Sequence, residues 1–279
     1  MVDLFDVDLT GMVDMHIHSA PDVWQRKMDD LELAKQAAAR GMRAILLKSH
    51  WTLTADRAYL VQQVVPDLRV FGGLVLNNSV GGFNPIAVEA ALRMGAAEIW
   101  MPTLSSAAGS EAHVGLGLTV LEDDHLNLKR DVLDILSLVA EHDAILGTGH
   151  LSSDEILALV PAAHGLGVRK IVITHPQHPL VRMSPLQQEE LRDRFDVFFE
   201  RCMITSVLGG GPLPFGTLVD VIQRVGPDTT VIATDFGQPD NLSPVDGLAC
   251  FIAELRSAGF TEAAIARMGR LNPAHLLGI

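Results

Sequence analysis

The sequence predicts an α/β protein, a (β/α)8 TIM barrel occupying 1–279 as a single domain, and three observations carry that prediction. Short apolar runs rich in β-formers alternate with longer segments of helical period, the pattern of repeated βα units. Eight such runs can be counted. The turn after the first run reads His-Ser-Ala-Pro-Asp, with none of the glycines that mark the phosphate turn of an open doubly wound sheet, so closure into a barrel is the better solution for eight units.

The predicted strands cover 11–18, 44–50, 69–76, 98–104, 144–150, 170–175, 196–203 and 230–235. Between them lie helix-forming stretches such as 30–40 (Asp-Leu-Glu-Leu-Ala-Lys-Gln-Ala-Ala-Ala-Arg), closed by Gly41, and 131–141, with Ser153-Asp-Glu expected to cap a third. The segment 105–130 is long for a βα connection and is expected to cover the barrel mouth. The run Gly209-Gly-Gly-Pro-Leu-Pro is expected to give a flexible turn that lets backbone approach a ligand.

Bulk properties narrow the function classes. A chain of 279 residues that is 48% hydrophobic and 20% charged buries a large core. A net charge of -13 repels phosphate backbones and anionic lipids, so neither nucleic acid nor membrane is expected as a partner. Two cysteines make no disulfide framework, no basic leader precedes an apolar run and no long apolar stretch occurs, which predicts a cytoplasmic, unprocessed protein. The expected partner is a small-molecule substrate; homo-oligomerisation stays open.

The chemistry begins with Val13-Asp-Met-His-Ile-His-Ser19. Positions i and i+2 of a strand share a face, so His16 and His18 are expected to point together into the barrel at its C-terminal end, where one metal ion can take both. By itself the pair says little, because with 11 histidines a His-x-His arises by chance in roughly a third to a half of such chains. Its weight comes from three other runs. Ile145-Leu-Gly-Thr-Gly-His150, Ile171-Val-Ile-Thr-His175 and Val231-Ile-Ala-Thr-Asp235 each end on a metal-competent side chain at the predicted catalytic face. Converging imidazoles and a carboxylate are costly to bury without a cation or a full set of hydrogen bonds. Imidazole nitrogen with one carboxylate suits zinc first, then iron, nickel or manganese.

This constellation resembles the amidohydrolase superfamily along the whole chain, including a closing segment, Asn272-Pro-Ala-His-Leu-Leu-Gly278. The resemblance implies that His16, His18 and Asp235 bind metal, that His150 is a ligand, and that His175 binds a second metal or polarises the substrate. It departs from the binuclear pattern in strand four, which offers no lysine and only Glu98 at the wrong end, so a mononuclear site is the simpler expectation. Lys48 and His50, at i and i+2 at the end of strand two, are expected within the active site, as second-metal ligands or substrate contacts.

Hydrolysis is the expected output, with Asp235 moving the water's proton to the leaving group and His175 stabilising the oxyanion. A metal-dependent decarboxylase of the same fold and a non-catalytic metal-binding barrel are the alternatives. Lesser candidates for substrate contact are Arg26, Glu200 and Arg201; for Glu200 and Arg201 a structural ion pair weighs more, and Arg26, Lys27, His178 and Arg182 read more simply as solvated charges. Trp24, Trp51 and Phe236 are expected either to wall a pocket or to pack under loops.

Overall fold

A computed structural model of the chain describes residues 4–109, 117–122 and 127–279. The strands are β1 (Val13–Ile17), β2 (Ala44–Leu47), β3 (Arg69–Val75), β4 (Glu98–Trp100), β5 (Ile145–Gly147), β6 (Lys170–Ile173), β7 (Val197–Cys202) and β8 (Thr230–Ala233). They form one parallel sheet in chain order, nearly closed as a barrel with helices between the strands, which is the (β/α)8 architecture the sequence predicts. Each strand lies inside its predicted run but ends earlier. Two residues past the ends of β5, β6 and β8, Gly149, His175 and Asp235 hold φ of 58°, 27° and 56°, turning the backbone just before or at the metal-competent residue.

The helices following these strands are α1 (Asp30–Ala39), α2 (Ala55–Val64), α3 (Pro85–Arg93), α4 (Arg130–Glu141), α5 (Ser153–Gly165), α6 (Pro185–Arg194), α7 (Phe215–Val225) and α8 (Pro244–Ser257). In α4, Val132, Ile135, Leu136 and Val139 are buried, and in α7 Leu218, Val221, Ile222 and Val225. Both sets sit at i, i+3, i+4 and i+7, a single apolar stripe, and burying each side chain stabilises by roughly 1.5–3 kcal/mol. The cap of α5 differs from expectation by one residue: Ser152 accepts from Glu155 N and the Glu155 side chain returns to Ser152 N. Among the described residues no helix is long and apolar enough to cross a membrane.

Backbone contacts group the chain into two compact units. The first comprises Met1–Lys48, Asp56–Gly72 and Glu200–Ile279. Its core joins Leu33, Ile45, Leu47, Val61, Ile222, Ile232, Phe236, Leu248, Phe251 and Met268. The closing segment forms a last helix, Asn272–Leu277, and Asn272 Nδ2 donates to Thr230 O at 2.7 Å and Pro227 O at 2.9 Å. That contact secures the start of β8, so the segment serves stability at the end of the strand remote from Asp235.

The second unit comprises Ser49–Ala55 and Gly73–Phe199, with Ile99, Trp100, Ile135, Leu146, Ile156, Val172 and Phe199 fully buried. The expected covering segment 105–130 lies partly outside the described residues, at 110–116 and 123–126. Its described parts pair as short bridges, Ser106 with Leu118 and Leu121 with Leu128.

Candidate metal centre

In the first unit the seam between β1 and β8 builds the site. Pairing of β1 with β2 shifts register between Asp14 and Ile17, so three residues of β1 span what two span on β2, a bulge of the kind that re-aims a side chain. His18 N donates to Phe236 O and Asp235 N to His16 O, both at 2.8 Å. Asp235, with its positive φ, then turns its carboxylate toward the two histidines: its Oδ1 lies 3.1 Å from His16 Nε2 and 3.1 Å from His18 Nε2. Both imidazoles are only 1% exposed.

The far side of each ring is also engaged. His16 Nδ1 is 2.9 Å from Glu200 Oε2, and His18 Nδ1 is 3.0 Å from the Lys48 carbonyl oxygen. Acceptors there favour a proton on Nδ1, so that a cation displacing the contact to Asp235 would meet the Nε2 lone pair, the orientation that metal-binding histidines need. His16, His18 and Asp235 each offer one ligand atom, all within 4.8 Å of one another, so the trio can hold a metal ion.

Charge in this cluster is finely opposed. Burial disfavours the His16 imidazolium, but Asp235 and Glu200 outweigh it against the opposing Lys48 charge, and the pKa rises to about 9. For His18 burial wins and the pKa falls to about 4. Burial also acts against the Asp235 carboxylate, yet the two histidines hold it well below the usual range. Lys48 Nζ, buried, lies 3.0 Å from His16 Nε2. Below them Asp14 Oδ2 accepts from Thr234 Oγ1 at 2.6 Å, and its Oδ1 accepts from Thr234 N and His16 N. Burial lifts Asp14 to about 7 despite those donors.

The second unit gathers its own histidines. Thr148 and Thr174 exchange bonds across the ends of β5 and β6, Gly149 N donating to Thr174 Oγ1 and Thr174 N to Thr148 Oγ1. His150 and His175 follow directly, with ring centroids 5.0 Å apart. His178, from the turn after β6, brings its ring to 5.0 Å from that of His175 and 6.5 Å from that of His150. His50 lies 6.2 Å from His150 by ring centroid, and its Nδ1 is 2.8 Å from Thr103 Oγ1. Asn77 Nδ2 donates to both His50 O and Thr103 Oγ1 at 2.8 Å.

Several sequence expectations change. Glu200 pairs with His16 across the barrel strands, at 2.9 Å. Arg201 is fully buried, which lowers its pKa to about 9. Arg26 is no solvated charge: its side chain is 3% exposed and bonds Asp22 at 3.0 Å. Lys27 and Arg182 are exposed, as expected of solvated charges, Lys27 Nζ donating to Pro239 O and Arg182 Nε to Pro179 O. Phe236 is core, whereas Trp24 is exposed. The glycine run packs against its own chain, because a Cβ at Gly209 would strike Met203 O and one at Gly211 would strike Ile204 O.

Sequence reasoning missed Asp14, Thr234 and Gly237. Asp14 and Thr234 carry a readable signal, since Asp14 lies two residues before His16 on the same strand face and Thr234 lies one residue before Asp235. Gly237 carries none. It holds φ of 144°, and a Cβ there would collide with the His18 carbonyl oxygen. Gly237→Ala is therefore expected to leave a folded protein whose metal affinity falls by at least about tenfold, the scale of lost ligand orientation. Metal titration followed by circular dichroism checks it; an unchanged affinity removes Gly237 from the site.

Comparison with known proteins places this geometry in context. The model of a family of unknown function (DUF6282) matches residues 11–200. No curated protein matches the chain. Among solved structures, an amidohydrolase from Pseudomonas aeruginosa aligns over 99% of this chain and 98% of its own with a TM-score of 0.67 and 13% identity. A probable dipeptidase from the same organism aligns over 99% and 96%, with a TM-score of 0.63 and 14% identity. A mutant organophosphorus hydrolase from Deinococcus radiodurans aligns over 98% and 94%, at 0.59 and 16%. At such identities the likeness speaks to the fold. The chain shares its fold with these metal-dependent hydrolases, and the match over 11–200 shows that it belongs to the family of unknown function DUF6282.

Proposed function

We propose that the chain is a metal-dependent hydrolase that cleaves an amide, ester or lactone bond in a small molecule, with one zinc ion held by His16, His18 and Asp235. One observation carries the reading: two imidazoles present Nε2 to one carboxylate oxygen at 3.1 Å while their Nδ1 atoms face Glu200 and the Lys48 carbonyl. Nitrogen donors with a single carboxylate favour zinc over the oxygen cages of calcium and magnesium.

A bound cation supplies a lowered pKa for its water and polarisation of the scissile carbonyl. The chain's own residues do the rest. Asp235 takes the water's proton and passes it to the leaving group. Glu200 holds His16 in register, and Asp14 braces the strand beneath it. Lys48 offers a cation to an acidic group of the substrate. His50, His150 and His175 are kept as metal or substrate residues on the sequence pattern, and His175 as the oxyanion donor. The dipeptidase and the organophosphorus hydrolase engineered from a lactonase template, both among the structural neighbours, make amides and lactones the first compounds to assay.

The test has two arms. Elemental analysis of protein purified without chelator is expected to find about one zinc per chain, and turnover is expected on an ester, lactone or dipeptide panel and to vanish after metal stripping. Metal near zero in freshly purified protein defeats the reading. A decarboxylase is the second reading, favoured by the buried Lys48 ammonium at 3.0 Å from His16 Nε2 as a carboxylate clamp; carbon dioxide release from unsaturated or aromatic acids, with no hydrolysis, selects it.

The electrostatics add a pH prediction. Metal-free His16, with its pKa raised to about 9, carries a proton at pH 7 that a cation must displace. His18, at about 4, carries none. Affinity is therefore expected to rise about tenfold per pH unit up to about 9 and to level off above it. Calorimetric titration in buffers of different ionisation enthalpy is expected to show close to one proton released at pH 7. An affinity that is flat between pH 6 and 8 refutes the assignment.

A further inference from the structure

The other side of His16 carries a second set of donors. Glu200 Oε2 lies 2.9 Å from His16 Nδ1, Cys202 Sγ lies 3.6 Å from that nitrogen, and Cys202 Sγ lies 3.5 Å from Glu200 Oε2. All three residues are at most 1% exposed, and their ligand atoms fall within 4.8 Å of one another. Glu200 and Cys202 alternate along β7, so both point to the same face. From these residues we infer that His16, Glu200 and Cys202 form a separate binding site for a thiophilic divalent cation, one that takes the imidazole from its opposite edge.

The distances support it. A point about 2 Å from all three atoms sits within the triangle they make, and zinc keeps about 2.0–2.2 Å from nitrogen and oxygen and about 2.3 Å from sulfur. Only a small outward shift of the thiol is needed to complete the geometry. The donor set differs in kind from the one on the Nε2 edge: a thiolate selects soft cations, whereas two imidazoles and a carboxylate do not discriminate for them. Charge balances as well, since one thiolate and one carboxylate neutralise a divalent ion in a buried setting.

The protons can be followed. Coordination releases two protons to solvent, the Cys202 thiol proton and the Nδ1 proton of the His16 imidazolium. The proton on Nε2 stays, where Asp235 Oδ1, at 3.1 Å, accepts its hydrogen bond. The ring becomes neutral and no other reactant is required. A ring protonated at Nε2 has no lone pair for the Asp235 side, so a soft cation at this site takes His16 away from the other one.

Cadmium is the probe. The metal-stripped chain, titrated with Cd2+ under a non-thiol reductant, is expected to develop the ultraviolet thiolate-to-cadmium charge-transfer band with about one equivalent. Cys202→Ser is expected to lose the band and Cys250→Ser, which changes the other cysteine, to keep it. His18→Ala, which cripples the Nε2-side site, is expected to keep it too, so failure of the proposed hydrolase centre and failure of this site are told apart. Circular dichroism confirms that each variant is folded, and Cys202→Ala provides a second substitution should the serine variant not be. Absence of the band in the wild-type protein, or its persistence in both Cys202 variants, overturns the proposal.

Discussion

Replacing Asp235 by Asn is expected to lower kcat by at least about 100-fold on whichever ester, amide or lactone the protein turns over, the low end of what a positioned general base contributes. Metal content is expected to stay near that of the parent, because both histidine Nε2 atoms remain and the amide oxygen still faces them. The substitution keeps the shape of a side chain whose Oδ1 stands 3.1 Å from each ring. What it removes is the capacity to take a proton. The same change strips His16 of a carboxylate that helps to raise its pKa, so the proton released on metal uptake is expected to diminish near pH 7. Turnover close to that of the parent, with metal bound, assigns the proton transfer to another group.

Much of the fold could be read from the sequence because barrel strands are buried and leave continuous apolar runs, and because α4 and α7 repeat their apolar stripe at i, i+3, i+4 and i+7. Strand ends were harder. The runs 144–150, 170–175 and 230–235 look uniform, but the strands stop at Gly147, Ile173 and Ala233, and the backbone turns to positive φ two residues beyond, at Gly149, His175 and Asp235. His and Asp adopt positive φ more often than most side chains, but it stays uncommon, and tertiary constraint decides where it occurs. In the site, His16, His18 and Asp235 were legible through period-2 spacing and strand-end position. Their supporting partners were not. Glu200 reads locally as half of an ion pair with its neighbour Arg201, whereas its partner, His16, is 184 positions away. Gly237 matters through one backbone contact with His18. Long-range partners of this kind follow from closure of β8 onto β1, which a single sequence does not display.

Glu200 supplies the second large effect. Its Oε2 fixes the His16 ring from behind, and removal of such an outer partner typically costs 10–100-fold in metal affinity. Glu200→Gln is expected to fall in that range: the amide can still accept from Nδ1–H through its oxygen, but without the charge that favours that proton. Glu200→Ala is expected to lose more, because it leaves a buried ring nitrogen to find a new acceptor. The pH dependence separates this from simple misfolding. Glu200 is one of the charges raising His16 to about 9, so in Glu200→Gln the pH at which metal affinity levels off is expected to move downward, toward neutrality. A purely structural defect would lower affinity at every pH and leave that break where it was. Titrations of both variants with zinc between pH 6 and 9.5, read by competition with a chromogenic chelator, distinguish the two outcomes. An unshifted break in a well-folded Glu200→Gln protein would mean that Asp235 alone sets the protonation of His16, and Glu200 would then be packing for the ring and nothing more.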